Sequence, residues 1–129
     1  MKIEHIALWS NDIERLKEFY IKYFNACSNQ KYVNDKKSFK SYFLSFEDGP
    51  RLELMQMSNI PENKNNPVNQ NIGINHIAIS VGSNQRVIDL TNWLKKDGYE
   101  VVSEPRETGD CYFESCVFGP EKNRIEITV

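Results

Sequence analysis

The hydrophobic residues of this chain form the same pattern twice, on either side of a polar segment. Residues 3–9 read IEHIALW and residues 74–80 read INHIAIS, and both runs have the apolar and β-branched character that is typical of a strand. Between them, residues 58–73 contain six asparagines and two prolines without apolar periodicity. We therefore predict two modules joined by a linker.

A helix is predicted after each of these strands. In the first module Asn11 is the predicted N-cap, with Glu14 three residues later, and apolar residues then recur at helical spacing up to Phe24. In the second module the apolar face of the helix ends at Leu94, and Gly98 suits the left-handed conformation that often follows a helix. The two helices thus correspond in place and in kind.

Three short β-rich runs are predicted after each helix, so that the unit is βαβββ, written twice. These runs cover residues 31–34, 39–46 and 52–57, then residues 99–103, 111–118 and 124–129. The predicted fold class is α+β, with two tandem βαβββ modules that form a curved mixed β-sheet cleft. The predicted organisation is a single domain of residues 1–129, with modules 1–57 and 74–129 and a linker 58–73.

The repeat places two histidines and two glutamates at equivalent positions. Glu53 follows His5 by 48 positions and Glu126 follows His76 by 50, and each glutamate lies between two apolar residues of its strand. Because alternate residues of a strand point to opposite faces, the four side chains are expected on the sheet faces that turn away from the helices.

These four side chains have the chemistry of a metal site. Imidazoles and carboxylates together suit Zn²⁺, Ni²⁺, Co²⁺, Mn²⁺ or Fe²⁺, and a set without thiolates that leaves positions open favours a catalytic site over a structural one. Taken singly, a strand histidine or glutamate is more often an ordinary half-exposed polar residue. Their coincidence at equivalent repeat positions, in a chain with 2 histidines, favours a jointly held divalent ion.

Composition narrows the range of partners and compartments. With 16 basic and 18 acidic residues the formal net charge is -2, and basic residues cluster only in pairs, so a nucleic-acid partner is not expected. No run reaches the roughly 20 apolar residues of a membrane span, and the first residues lack a signal-peptide pattern, which predicts a cytoplasmic protein. Cys27, Cys111 and Cys116 lack C-x-x-C spacing and are expected to be reduced thiols.

With these residues in place, the sequence resembles the vicinal oxygen chelate superfamily, which includes glyoxalase I, methylmalonyl-CoA epimerase, extradiol dioxygenases, and fosfomycin- and bleomycin-resistance proteins. The resemblance covers essentially the whole chain. It is most specific at residues 5–7 (HIA), 76–79 (HIAI) and 118–127 (FGPEKNRIEI), the last of which looks like the D-P-x-G-N-x-I-E ending of that superfamily. Gly119 and Lys122 depart from that ending. The resemblance implies the glyoxalase/bleomycin resistance fold.

Within the superfamily, the match is best with glyoxalase I, where a His and a Glu from each half hold the metal. The resemblance implies that His5, Glu53 and His76 bind a divalent ion, with Ni, Co or Zn expected before Mn or Fe. It implies that Glu126 is the fourth ligand and also the base that moves a proton. The implied reaction is a lyase or isomerase step, through an enediolate, on a hemithioacetal of methylglyoxal and a thiol. The implied partners are a small-molecule substrate and a second copy of the chain in a homodimer.

Two departures from glyoxalase I concern the substrate. Such enzymes commonly carry an arginine four residues after the first ligand and an asparagine four residues after the second, whereas this chain has Trp9 and Met57. Trp9, Met55 and Met57 are candidates for an apolar substrate wall, although a row of this kind at strand spacing is more often plain core. Arg106, predicted to lie in the loop before residues 111–118, could reach the polar end of a substrate, but a solvated loop charge is the favoured interpretation.

Three alternatives stay open at this point. Proton transfer like that of methylmalonyl-CoA epimerase needs the same ion. A metal-free protein that binds a small molecule such as an antibiotic needs the cleft but no ion, and the four intact ligand positions argue against it. Ring-cleaving dioxygenases use two histidines and one glutamate on iron, commonly in chains with twice as many modules.

Overall fold

The computed structural model describes residues 1–64, 66, 68–70 and 72–129, and the chain divides into two compact units, residues 1–62 and 63–129. Each unit contains one mixed sheet and one long helix that contacts it. The predicted α+β class is therefore confirmed. The grouping of both units into a single domain stays a prediction.

The first unit follows the predicted order with one addition. Its elements are β1 (His5–Trp9), α1 (Ile13–Phe24), β2 (Cys27–Ser28), β3 (Tyr32–Asn34), a 3₁₀ turn (Asp35–Lys37), β4 (Phe39–Ser45) and β5 (Arg51–Met57). The strands are ordered β1-β5-β4-β2, with β3 also on β4, and only β1 and β5 are parallel among these pairs. The sequence did not predict β2 because two residues show no periodicity.

The second unit has the same parallel pair and a longer edge strand than predicted. Its elements are β6 (His76–Ser80), α2 (Asn84–Lys96), β7 (Val101–Glu107), β8 (Phe113–Phe118) and β9 (Arg124–Thr128), with sheet order β6-β9-β8-β7. Placing Arg106 in a loop was wrong, because β7 continues through it. Pro105 lies within β7, which is an edge strand whose register shifts between Ser103 and Arg106, so the missing backbone N–H is tolerated there.

The ends of the helices follow local chemistry closely. The N-cap of α1 is Asp12, one residue after the predicted Asn11, and its carboxylate accepts a hydrogen bond from the backbone N–H of Arg15 at 3.0 Å. Gly98, just beyond α2, has a φ of +90°, which confirms the predicted left-handed conformation. None of the helices that the structure describes is long and apolar enough to cross a membrane.

The helix-facing side of each sheet forms the core of its unit. In β5, Leu52 and Leu54 are buried beneath α1 while the intervening Glu53 is half-buried on the other face. In β9, Ile125 and Ile127 are buried in the same way and Glu126 is the polar residue between them. The alternation predicted from the sequence is thus present around both glutamates. It fixes each carboxylate on the face opposite to the core.

Glu14, in the first turn of α1, connects the helix to the sheet of the first unit. Its carboxylate contacts Lys31, lies 2.9 Å from Nζ of Lys17 and accepts a hydrogen bond from the hydroxyl of Tyr42 at 3.0 Å. Hydrogen bonds from Lys31 and Lys17 lower the pKa of Glu14 to about 2. The carboxylate form of Glu14 is therefore preferred in the folded state.

We expect Glu14→Gln to remove part of the acid sensitivity of the fold. Because the folded-state pKa lies below the ordinary 4.5, the stabilisation is full above about pH 4.5 and is lost as the pH falls towards 2. Solvent screening of this partly exposed group limits the effect at pH 7 to about 1 kcal/mol. Urea denaturation at pH 7 and pH 3 should give a smaller wild-type-minus-variant difference at pH 3. The exposed Glu47→Gln is the control, and an equal difference at both pH values would contradict the assignment.

Candidate functional site

The parallel strand pairs of the two units place a histidine and a glutamate in the same relation. In β1 and β5, His5 is paired with Arg51, and Glu53 lies two positions further along β5. β6 and β9 have the same register, which places His76 and Glu126 in the equivalent positions. Glu53 and Glu126 each lie between two buried residues that face the helix. Because side chains alternate between the faces of a strand, each His–Glu pair lies on the sheet face opposite to its helix.

Each pair brings a ring nitrogen and a carboxylate oxygen close together. The distance from His5 Nε2 to Glu53 Oε2 is 3.7 Å, and that from His76 Nε2 to Glu126 Oε2 is 3.3 Å. Two ligands that lie about 2.1 Å from a tetrahedral ion are about 3.4 Å apart, so the spacing suits two ligands of one divalent cation. Imidazole and carboxylate are also the donor types that the predicted ions prefer.

The exposure of these side chains differs between the two donor types. The side chains of His5 and His76 are 39% and 41% exposed, whereas those of Glu53 and Glu126 are 17% and 20% exposed. The rings therefore stand at the accessible side of each pair, and the carboxylates lie beneath them. Such an arrangement can receive an ion from solvent while the sheet holds the carboxylates in place.

The structure brings the predicted ligands together as two pairs, one in each unit. Among residues 1–64, 66, 68–70 and 72–129, no group of three or more His, Cys, Asp or Glu side chains that could hold a metal ion is found. A single site made by His5, Glu53, His76 and Glu126 together therefore stays a prediction.

Glu126 has a second carboxylate beside it, that of Glu114, which was not predicted from the sequence. Burial is the largest cause of a raised pKa for Glu126; the charge of His76 opposes this shift, and the charge of Glu114 and a hydrogen bond with it reinforce it. Glu114 lies on β8, where Arg106 binds its carboxylate at 3.2 Å. A carboxyl with a raised pKa is better suited to accept a proton from carbon than an ordinary one. Glu114 is the one charged residue of β8, which was the available signal, but its approach to Glu126 depends on the β8–β9 register.

Arg106 is thus an ion-pair partner on the sheet of the second unit, with its guanidinium on Glu114. Its positive charge lowers the pKa of Glu126 and so acts on that carboxyl in the opposite direction to Glu114. On the same face, Cys116 is paired with Glu126 across β8 and β9, and burial raises the pKa of its thiol to about 11. Cys116 therefore carries a protonated thiol and is not suited to act as a nucleophile.

The corresponding face of the first unit is aromatic and rich in thioethers. Trp9 is 38% exposed and its ring lies edge-on to Phe39, with 6.2 Å between ring centroids. Phe39 is paired with Met57 across β4 and β5. Met55, two residues before Met57 in β5, is half-buried. A groove of about 520 Å³ in this unit is lined by Phe39, Met57 and mostly polar neighbours. The row predicted as a substrate wall is therefore partly accessible, and its role in binding stays a prediction.

Comparison with known proteins supports the fold and places the chain among its relatives. The family model described as the Glyoxalase/Bleomycin resistance protein/Dioxygenase superfamily matches residues 4–114, a range that includes His5, Glu53 and His76 and ends before Glu126. No curated protein sequence matches the chain.

Solved structures with the same fold include the glyoxylase/bleomycin resistance protein/dioxygenase domain of Frankia sp. EAN1pec. It has a TM-score of 0.82 and 14% identity, and the alignment covers 100% of this chain and 97% of that one. The trypanothione-dependent glyoxalase I of Leishmania major aligns with a TM-score of 0.76 and 19% identity over 99% of this chain and 86% of its own. Glyoxalase I of Zea mays aligns with a TM-score of 0.77 and 18% identity over 98% of this chain. The present chain spans 44% of that maize protein.

Proposed function

The chain belongs to the glyoxalase/bleomycin resistance protein/dioxygenase superfamily, and we propose that within it this protein is a metal-dependent lyase or isomerase of glyoxalase I type. The proposed substrate is a hemithioacetal of methylglyoxal and a thiol. The observation that carries the proposal is the identical placement of one His–Glu pair in each unit, with ring nitrogen and carboxylate oxygen 3.7 Å and 3.3 Å apart. An ordinary surface histidine would not be expected to have a glutamate at the same position beside it in both units.

In this proposal the four ligands have two roles. His5, Glu53 and His76 hold the ion, and Glu126 both holds it and serves as the base. A bound divalent cation supplies Lewis-acid polarisation of the substrate's oxygens, which makes the neighbouring C–H group more acidic. The other steps belong to the protein's own side chains.

Glu126 moves the proton in the proposed reaction. Its carboxylate takes a proton from one carbon and, as a carboxylic acid, returns it to the adjacent carbon, so that no proton is gained or lost overall. Burial of the carboxyl, which raises its pKa, favours this exchange. Glu114 and the Arg106 bound to it stand beside Glu126 and keep its oxygens within a polar network.

The thiol of the substrate is proposed to lie against the wall formed by Trp9, Met55 and Met57. An aromatic ring and two thioethers favour a less charged carrier than one bound by arginine and asparagine. The Leishmania major glyoxalase I is trypanothione-dependent, so a glyoxalase of this fold can act with a thiol other than glutathione. Arg106 is proposed to contact the polar end of the substrate from its position on β7.

Metal content and turnover together test the proposal. Protein purified without a metal-binding tag should contain a stoichiometric divalent ion, and chelation should abolish turnover of methylglyoxal with glutathione or another thiol. Readdition of Ni²⁺, Co²⁺ or Zn²⁺ should restore that turnover, and size-exclusion chromatography of the same samples tests the proposed homodimer. Metal far below stoichiometric together with no restored turnover would reject the enzyme and favour a metal-free binding protein.

A further inference from the structure

In both units, the residue directly before the histidine binds the Nδ1 atom of its ring. His5 Nδ1 lies 2.5 Å from a carboxylate oxygen of Glu4, and His76 Nδ1 lies 2.9 Å from Oδ1 of Asn75. The opposite ring nitrogens are 3.7 Å and 3.3 Å from the paired glutamates, which is longer than an ordinary N–H···O hydrogen bond. A neutral imidazole carries one N–H proton. Because Nδ1 has the shorter contact with an oxygen, this proton is expected on Nδ1 rather than on Nε2.

The acceptor atoms themselves are held by different networks. Asn75 donates its amide N–H to Oε1 of Gln70 at 2.5 Å, which leaves Oδ1 as the acceptor towards His76. Glu4 forms an ion pair with Arg51, so its carboxylate is ionised and can only accept a hydrogen bond from His5. One unit thus uses a charged acceptor and the other a neutral one for the same position.

We propose that Glu4 and Asn75 are positioning residues that fix the Nδ1–H tautomer of His5 and His76, so that the lone pair of each Nε2 faces its paired glutamate. A lone pair and a carboxylate oxygen repel each other unless a cation lies between them, so this tautomer prepares each pair for a divalent ion. Metal-binding histidines commonly use such partners, and losing one typically weakens metal affinity by about 10–100-fold. The inference rests on the proposed function only in taking a metal ion as the ligand.

The two units are expected to respond unequally. The Glu4 carboxylate polarises the ring of His5 more strongly than the Asn75 amide polarises that of His76, because a hydrogen bond to an ionised acceptor is about twice as strong as a neutral one. Removal of the Glu4 acceptor should therefore weaken metal binding more than removal of the Asn75 acceptor.

Nuclear magnetic resonance of the metal-free protein tests the tautomers directly. With 2 histidines in the chain, long-range ¹H–¹⁵N spectra at about pH 8 contain two imidazole patterns. The wild type should show two Nδ1–H rings. Glu4→Met should release only the first ring and Asn75→Leu only the second, while the exposed Glu47→Met and Asn92→Leu, with the same chemical changes, should alter neither.

Calorimetric titration with Ni²⁺ or Zn²⁺ then links the tautomer to the ion. Glu4→Met and Asn75→Leu should weaken binding by about 10–100-fold, and Glu4→Gln and Asn75→Asp, which retain an acceptor oxygen, should restore most of it. Wild-type rings protonated on Nε2, or tautomers unchanged in the two variants, would overturn the inference and leave the proposed function untouched. A wild type that shows two Nδ1–H rings yet binds no metal would instead overturn the proposed function.

Discussion

Glu126→Gln should lower turnover by about 10²–10⁴-fold at saturating metal, because a neutral amide cannot take the proton that the base removes from carbon. Glutamine keeps one oxygen that can contact a metal, so binding of the ion should weaken without being lost. The measurement is kcat at several metal concentrations, with metal content determined on the same samples.

Glu53→Gln is the matched control, since Glu53 occupies the equivalent position in the first unit and is not the proposed base. We expect it to raise the dissociation constant for the ion and to recover most of kcat when metal is in excess. Turnover of the Glu126 variant that equals the wild type would remove Glu126 from the role of base. Equal and irrecoverable losses in both variants would mean that the carboxylates act only as ligands.

The different roles proposed for the two glutamates, which the resemblance to glyoxalase I implies, are supported by a difference between their neighbours. Across the antiparallel partner strand, Glu53 is paired with Phe43, whereas Glu126 is paired with Cys116 and interacts with Glu114. The pKa of Glu126 is raised, first by burial and then with help from Glu114. A repeat that is symmetric in its ligands is therefore asymmetric in the groups that tune them, and proton transfer is proposed where a second carboxylate is present.

The sequence predicted the features that depend on alternation and repetition. His5 and Glu53 lie on one face because side chains alternate along paired strands, and His76 and Glu126, 50 positions apart rather than 48, have the same parallel register. Each unit supplies its own His–Glu pair, so the candidate ligands could be predicted mainly by comparing the two halves of the sequence. Strand bounds were less accurate where Pro105 lies at an edge that tolerates it.

Contacts that depend on strand register or on side-chain conformation could not be predicted from the sequence. The approach of Glu114 to Glu126 depends on the pairing of β8 with β9. The ion pair between Arg106 and Glu114 was not predicted because Arg106 was assigned to a loop. Glu4 and Asn75 each precede a predicted ligand, but adjacent residues of a strand point to opposite faces. Only the position of their side-chain oxygens beside Nδ1 shows that they contact the imidazole rings.

Leu54→Ala and Ile127→Ala should each lower the free energy of unfolding by about 2–5 kcal/mol, since each removes a side chain that is 0% exposed and leaves a cavity. Each residue directly follows a predicted ligand, Glu53 or Glu126, on the opposite face of the strand. Urea denaturation measures the loss, with Met55→Ala, a half-buried position on the outer face, as a control that should cost less.

The same two variants test whether residues 1–129 form a single domain. A chain that unfolds as one cooperative structure should show one transition, and both variants should shift its midpoint although their cavities lie in different units. Two transitions, of which Leu54→Ala shifts only one and Ile127→Ala only the other, would contradict the single-domain prediction. In that case, adding metal during denaturation distinguishes two separate sites from one shared site. An ion that binds one His–Glu pair stabilises one transition, whereas an ion shared by His5, Glu53, His76 and Glu126 must stabilise both.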